Sequence, residues 1–278
     1  MEDILLPAPG RDPDPISMAR YYYRFRGLLF SFVVNDLKSR YVGSFIGFFW
    51  TVLDPILELL IYTFVFSVIL QVRFDSEGDT VHYALFLFCG MVAWFNVQES
   101  LSRATPVLAE SAHLIKKMNF PALILPLHVV LSGTLNQIIR TGVLLLGLSV
   151  TGYGLSYHVL FLPLVIALQV VLLLGLAMIL ATLHVFFKDI GHMVKMGLMV
   201  WMFITPIFYP PASIPEQFKF MLVLNPMAHL IGIYQELLLN HRLPHEGSVI
   251  ILATFTLFSF IIGNLFFARY QGQFADLV

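Results

Sequence analysis

Three ionisable side chains lie inside stretches otherwise apolar enough to cross a bilayer. Asp54 and Glu58, four residues apart, sit in a run near 45–70, and Arg140, beside Asn136 and Gln137, sits in a run near 120–150. A spacing of four puts both carboxylates on one helical face. Charges at that depth are costly and face a polar interior or one another. An ion pair between Arg140 and Asp54 or Glu58 is therefore expected, either fixing helix packing or contributing to a polar path. Other reactive groups are sparse. His241 and His245 have the spacing of metal ligands on a helix, but Pro244 intervenes and no third ligand is evident, so no metal site is expected. GxSxG, HExxH and GxxxxGK[ST] patterns are absent from the sequence. The single cysteine, Cys89, has no mate for an internal disulfide. These residues predict a chain that carries no chemistry of its own.

The elements that must position them are membrane helices. Hydrophobic residues make up 58% of the 278 and charged residues 12%, with mean hydropathy +0.83, far from the composition of soluble domains. Apolar runs near 45–70, 82–105, 120–150, 158–186, 193–209 and 248–268 each approach the ~20 residues that a span needs. The expected fold is an all-α membrane protein with six transmembrane helices in one domain, 16–278, preceded by an acidic, proline-rich tail, 1–15, read as a disordered cytosolic segment that lacks signal-peptide character. With both termini in the cytoplasm, twelve lysines and arginines fall inside and three outside, Arg140 lying within the third span. That asymmetry favours this orientation. A net charge of −1 argues against a nucleic-acid partner.

Three segments depart from plain spans. Residues 16–41 carry Arg20, Arg24, Gly27, Ser31, Asn35 and Lys38 along one helical line, with Met18, Tyr22, Phe25, Leu29 and Phe32 between them. This predicts an amphipathic helix on the membrane surface, serving as an anchor or also as a collar that touches a partner. Residues 106–121, bracketed by prolines, set Val107, Leu108, Leu114, Ile115 and Met118 opposite Glu110, His113 and Lys117. Such a short amphipathic helix can rest on lipid or plug into a soluble partner. In 206–226, Pro206, Pro210 and Pro211 end the fifth run, and a second apolar stretch stops at Asn225-Pro226. Too short to span, it is expected to dip into the outer leaflet and return, or to form an ordinary external loop.

Lys38-Ser-Arg-Tyr-Val-Gly-Ser-Phe-Ile-Gly-Phe-Phe-Trp50 leading to Asp54-Pro55, then Leu114-Ile-Lys-Lys-Met-Asn-Phe-Pro121 with Pro126, then Pro206-Ile-Phe-Tyr-Pro210 with Ile214-Pro215 and Asn225-Pro226, together resemble the permease subunits of ABC-2 type exporters, closest to the polysaccharide-export branch that moves lipid-linked O-antigen, capsular polysaccharide or teichoic acid. The resemblance covers residue 20 to the carboxyl terminus. It implies a homodimeric channel in the bacterial inner membrane, with two copies of a nucleotide-binding subunit docked beneath that bind ATP and Mg, while this chain binds no cofactor. It further implies that 16–41 is the interface helix and 107–119 the coupling helix, with Arg24, Arg26, Leu114, Ile115, Lys116 and Lys117 meeting the ATPase. Pro206, Tyr209, Pro210, Asn225 and Pro226 then belong to re-entrant helices between spans 5 and 6 that cap the pore exit. The family's channel is partly aromatic, and candidates here are Trp50, Tyr62, Trp94, Phe95, Trp201 and Tyr209, whose faces can pack on sugar rings or serve as core and interface anchors. The expected partners are a second copy, two ATPase subunits, the lipid-linked polysaccharide and membrane lipid. An ABC-2 exporter of a drug or lipid, and a membrane scaffold without transport, stay open as alternatives.

Overall fold

A computed structural model describes residues 25–40, 44–45, 47–69, 80–117 and 120–278, and every regular element among them is helical. Helix α1 (Arg26–Ser39) leads to a 3-10 turn (Gly47–Phe49), helix α2 (Trp50–Tyr62) and a π-helical segment (Thr63–Ile69). Helix α3 (Thr80–Ala104) is followed by two short pieces, α4 (Val107–Glu110) and α5 (Ala112–Lys117). The long α6 (Ile124–Val150) and α7 (Leu162–Phe186) precede α8 (Ile190–Ile204). Then come α9 (Phe220–Leu224), α10 (Pro226–Leu238), α11 (Glu246–Tyr270) and a final turn, α12 (Phe274–Leu277).

The helical class expected from composition is what forms, and four of the six apolar runs form long helices. Four helical stretches among the described residues are long and apolar enough to cross a bilayer: Tyr83–Ala104, Ile124–Val150, Tyr157–Phe186 and Glu246–Leu277. The first run is broken instead. Pro55 lies inside α2, and beyond Tyr62 the helix widens into the π form, so no α-helix there exceeds 13 residues. Proline removes a backbone donor and crowds the preceding turn. The fifth run stops at Ile204 after 15 residues, about 22 Å of helix against a hydrocarbon core of about 30 Å. Pro206 follows two positions later.

Helix α3 is the axis of the bundle. Leu87, Phe88, Val92, Ala93, Trp94 and Val97 have no exposed surface, as expected of a helix apolar on all sides. It contacts α6, α7, α8 and α10. The most extensive helix contact joins α7 to α11, where Gly175 and Gly263 let the two backbones touch. The outer face of α11 carries Ile250, Leu257, Phe258, Ile261 and Leu265, all exposed. In water such a face would be a liability; in a bilayer it is the ordinary lipid surface. Helix α1 packs against α6, and α12 packs against α5, so both described chain ends gather at one end of the bundle, beside α4 and α5.

Candidate functional site

Polar groups in the bundle interior form two clusters. In the first, Asn96 Nδ2 donates to Gln137 Oε1 at 2.6 Å, Gln137 Nε2 donates to Gln169 Oε1 at 2.7 Å and to the Tyr234 hydroxyl at 2.8 Å, and Gln169 Nε2 donates to the Ala93 carbonyl at 2.9 Å. Ser100 adds a bond to Asn96 Oδ1 at 2.9 Å. The chain of bonds fastens α3, α6, α7 and α10 at one level. Gly133 leaves the room for it, since a methyl group there would come within 2.6 Å of Asn96 Oδ1 and 2.7 Å of Ser100 Oγ. In low dielectric each buried amide must find a partner. Replacing Gln137 by leucine leaves Asn96 Nδ2 only Thr134 Oγ1 at 3.5 Å and leaves Gln169 Oε1 only the Tyr234 hydroxyl at 3.5 Å, and is expected to cost about 2 kcal/mol, read as a lower thermal unfolding transition of the purified chain.

The second cluster contains the intramembrane charges. Arg140 Nε lies 3.5 Å from Glu58 Oε2, and the guanidinium carbon lies 4.8 Å from the centre of the Phe95 ring. Of the two carboxylates on α2, Glu58 is therefore the one that meets Arg140. Asp54, one turn earlier, makes no ion pair among the described residues. The pair ties α2 to α6, and both side chains are only partly shielded, at 18% and 27% exposed.

The end of the bundle that holds both described termini carries a denser charge network. Asp36 of α1 bonds Arg103 at the last turn of α3 through both carboxylate oxygens and Arg40 at 2.9 Å, while Glu99 pairs with Arg40 and Arg103. Asn136 Nδ2 lies 3.4 Å from both Glu99 oxygens. Burial pushes the Asp36 carboxyl up, but the hydrogen bonds and charges of Arg103 and Arg40 outweigh it and hold the group at about 2. The amphipathic line in 16–41 passed over this residue. Its signal was nonetheless present: Asp36–Arg40 and Glu99–Arg103 are two opposite-charge pairs at helical spacing, both at the same end of the chain's first two membrane segments. On α1, Phe32 lies edge-on to His128, with centroids 5.4 Å apart, and 5.7 Å from Phe120, whereas Asn35 and Lys38 face outward. Arg26 is exposed, and Arg24 lies outside the described residues.

The segment between α3 and α6 forms as a helix broken at Ser111. Its apolar face turns inward: Val107 and Leu108 are buried, and Leu114 and Ile115 are half-buried against the core. Leu114 and Ile115, expected at the partner contact, thus also pack on the chain's own core. What α4 and α5 present outward is Glu110, His113 and Lys116. Burial wins because the neighbouring α7 and α12 supply an apolar surface for these side chains. Lys117 ends α5.

The aromatic candidates separate by burial. Trp94 is fully buried and meets Trp201 edge-on at 5.9 Å, so in this conformation it is core rather than channel lining. Trp201 donates from Nε1 to Asn225 Oδ1 at 2.8 Å. Trp50 donates to Ser44 Oγ at 3.0 Å, Tyr62 is half-buried at the end of α2, and Phe95 serves Arg140. The hydroxyl of Tyr209 closes onto the Phe203 carbonyl at 2.8 Å.

Around 206–226 the backbone reverses. Asn225 is buried, donates to Thr205 Oγ1 at 2.9 Å and caps α10 by accepting from Met227 N at 3.0 Å, with Pro226 at the first helical position. Pro206 is buried and Pro210 half-buried, while α9 has no buried residue. The buried part of the region is α10, where Leu230, Tyr234 and Leu237 have no exposed surface. The signal for this helix in the sequence is the Asn225-Pro226 pair that caps it. His241 Nε2 contacts the Tyr153 carbonyl at 3.1 Å, and His245 caps α11 at Gly247 N, so the two histidines turn to separate structural roles.

Residues 28–239 match the family described as ABC-2 type transporter. The chain is 32% identical over 265 residues to the O-antigen export system permease protein RfbA of Myxococcus xanthus, covering 95% of this chain and 100% of that protein. It is 31% identical to the protein of the same name from Klebsiella pneumoniae, over 91% and 96% of the two chains. It is also 23% identical to the polysialic acid transport protein KpsM of Escherichia coli, over 83% and 88%. A bundle of apolar helices with a polar interior, a split amphipathic segment at one end and a proline-broken return at the other thus belongs, with most of its length matched, to the ABC-2 type transporter family.

Proposed function

We propose that this chain is the channel-forming subunit of an ATP-driven exporter that moves a lipid-linked polysaccharide, an O-antigen or similar glycan, across the bacterial inner membrane. The observation that carries the reading is the end-to-end likeness to the Myxococcus protein, whose name states O-antigen export. ATP hydrolysis falls to a separate nucleotide-binding subunit in two copies, since the sequence holds no phosphate-binding loop. In the membrane the broken first segment and α8 act as two further crossings, completing six, with both termini cytoplasmic. The exposed apolar rows of α2 (Ile56, Leu60, Ile61) and α8 (Met196, Met199, Phe203) are where a second copy meets this one to enclose the path. The region 206–226 with α10 caps the exit.

Nucleotide-driven closure of the partner moves α4 and α5, and the ion-pair network carries that motion through α1 to α3. Coupling requires contacts that differ between the two states, and the outward residues Glu110, His113 and Lys116 are placed to make them. Reconstituting the chain with its neighbouring ATPase in vesicles should give ATP-dependent transfer of the lipid-linked glycan. Placing negative charge there by H113E and K116E, which touches no buried group, is expected to cut that transfer more than tenfold while the ATPase subunit keeps its basal turnover; each tenfold step corresponds to about 1.4 kcal/mol of lost coupling. Transfer by the chain alone without nucleotide would overturn the reading.

A further inference from the structure

A cavity of about 690 Å³ opens among α1, the end of α3, α4, the start of α6, the end of α7 and the start of α8. Its charges are unevenly used. Of its two carboxylates, Asp36 is already saturated by Arg103 and Arg40. Lys188 and Lys195 line the cavity and make no ion pair with a carboxylate among the described residues. They flank His192 at intervals of four and three, on one face of the chain entering α8. From the facing helix His184 contributes an imidazole whose Nδ1 is buried with no hydrogen-bond partner among the described residues. Its ring rests on Gly191, where a methyl group would approach it to 3.2 Å. Glu110 is the only other acid in the lining. A concave site of this size suits a small ligand, and its titratable groups outside the Asp36 network are two lysines and three imidazoles against the single carboxylate of Glu110.

Depth narrows the ligand. Arg103 and His184 sit in the last turns of spanning helices, and His128 in the first turns of another, so the cavity lies level with the boundary between hydrocarbon and headgroups. Basic pockets between membrane helices at that level take lipid headgroup phosphates. We propose that this cavity is a binding site for the phosphate of a lipid headgroup, held by Lys188 and Lys195 with His184 and His192 donating alongside. The proposal rests on the cytosolic orientation given above, but not on transport, and it places a phosphate contact directly beside the Asp36–Arg103 network and the split helix α4–α5.

The test uses the full chain in nanodiscs of phosphatidylcholine containing a minor fraction of phosphatidylglycerol, with retained lipid counted by native mass spectrometry and no nucleotide or partner present. Wild type is expected to retain phosphatidylglycerol, and the K188Q/K195Q variant to bind it about thirty-fold more weakly, the effect of two lysines near a headgroup. K219Q, in an exposed pair with Glu216 far along the chain, should bind like wild type, and unchanged thermal unfolding of the double variant shows that it folds. Competition by millimolar inorganic pyrophosphate assigns the site to phosphate as such; no competition, with phosphatidylglycerol still lost in the variant, assigns it to the intact lipid headgroup. Equal phosphatidylglycerol retention by wild type and K188Q/K195Q overturns the proposal, as does a double variant that keeps its lipid in the nanodisc but, in a separate pull-down, no longer co-purifies the ATPase subunit, which would make the cavity a seat for an acidic protein segment. Failure of transport in vesicles with lipid retention intact would count against the proposed function and leave this site standing.

Discussion

Replacing Gly263 by alanine is expected to destabilise the purified chain by about 3 kcal/mol, the upper part of the range for overpacking a tight contact. The added methyl would stand 2.3 Å from the Gly175 carbonyl oxygen and 2.9 Å from Gly175 Cα. Neither atom can swing aside, because both are backbone in the middle of α7. The reciprocal change, Gly175→Ala, meets Ser259 C at 2.4 Å and Phe260 N at 2.6 Å, with the same outcome. The effect is large because α11 exposes most of its surface and depends on α7 for its place in the bundle. Without a hydrophobic drive between helices in lipid, close backbone approach is the main source of such attachment. Gly232→Ala makes the control, since a methyl there has nothing within 4 Å; helix propensity alone should leave it neutral or slightly stabilised, by less than about 1 kcal/mol. Thermal unfolding of the three variants in one detergent decides it: equal stability of G263A and G232A would show that α7 and α11 do not touch in this way.

Removing Arg103 has the second large effect. In Arg103→Ala the Asp36 carboxylate, 10% exposed, keeps only Arg40, and the expected cost is about 2–3 kcal/mol, below the full penalty of a deeply buried pair because Arg103 itself is 37% exposed. Helix α1 should loosen from α3, and export in the reconstituted system should fall at least tenfold. Arg103→Lys keeps the charge but not the two-pronged donor, so it should lie between alanine and wild type. The same contact sets an acid limit. The Asp36 carboxyl titrates at about 2 in the folded chain against an ordinary value of 3.8; a group lowered in this way contributes its full stabilisation above pH ~4 and loses it as pH falls through ~2. Protease cleavage within α1, measured from pH 7 downward, should hold constant to about pH 4 and rise only below it. A rise already near pH 6 would assign the anchoring to another group.

The placement of charges shows where reading by spacing succeeds. Arg140 was expected to meet Asp54 or Glu58 because an unpaired charge at that depth is too costly, and Glu58 is the one within 3.5 Å. The Asp36–Arg103 contact is different. Its partners are 67 residues apart, and only the docking of α1 on the bundle brings them together. Similarly, spacing gave α4–α5 an apolar face, but a face says nothing of what covers it; Leu114 and Ile115 found the chain's own core.

Apolar content, the absence of catalytic motifs, the membrane class and the family likeness were all determined by sequence, because they depend on composition and on residues near one another in the chain. The tertiary structure decided the rest: which runs form long helices among the described residues, the buried α10, the inward turn of Trp94 and the four-helix amide network around Gln137. Each of these depends on which surfaces meet. Hydrophobic burial has no direction of its own, so the partner of an apolar or polar face is fixed only when helices distant in sequence pack side by side.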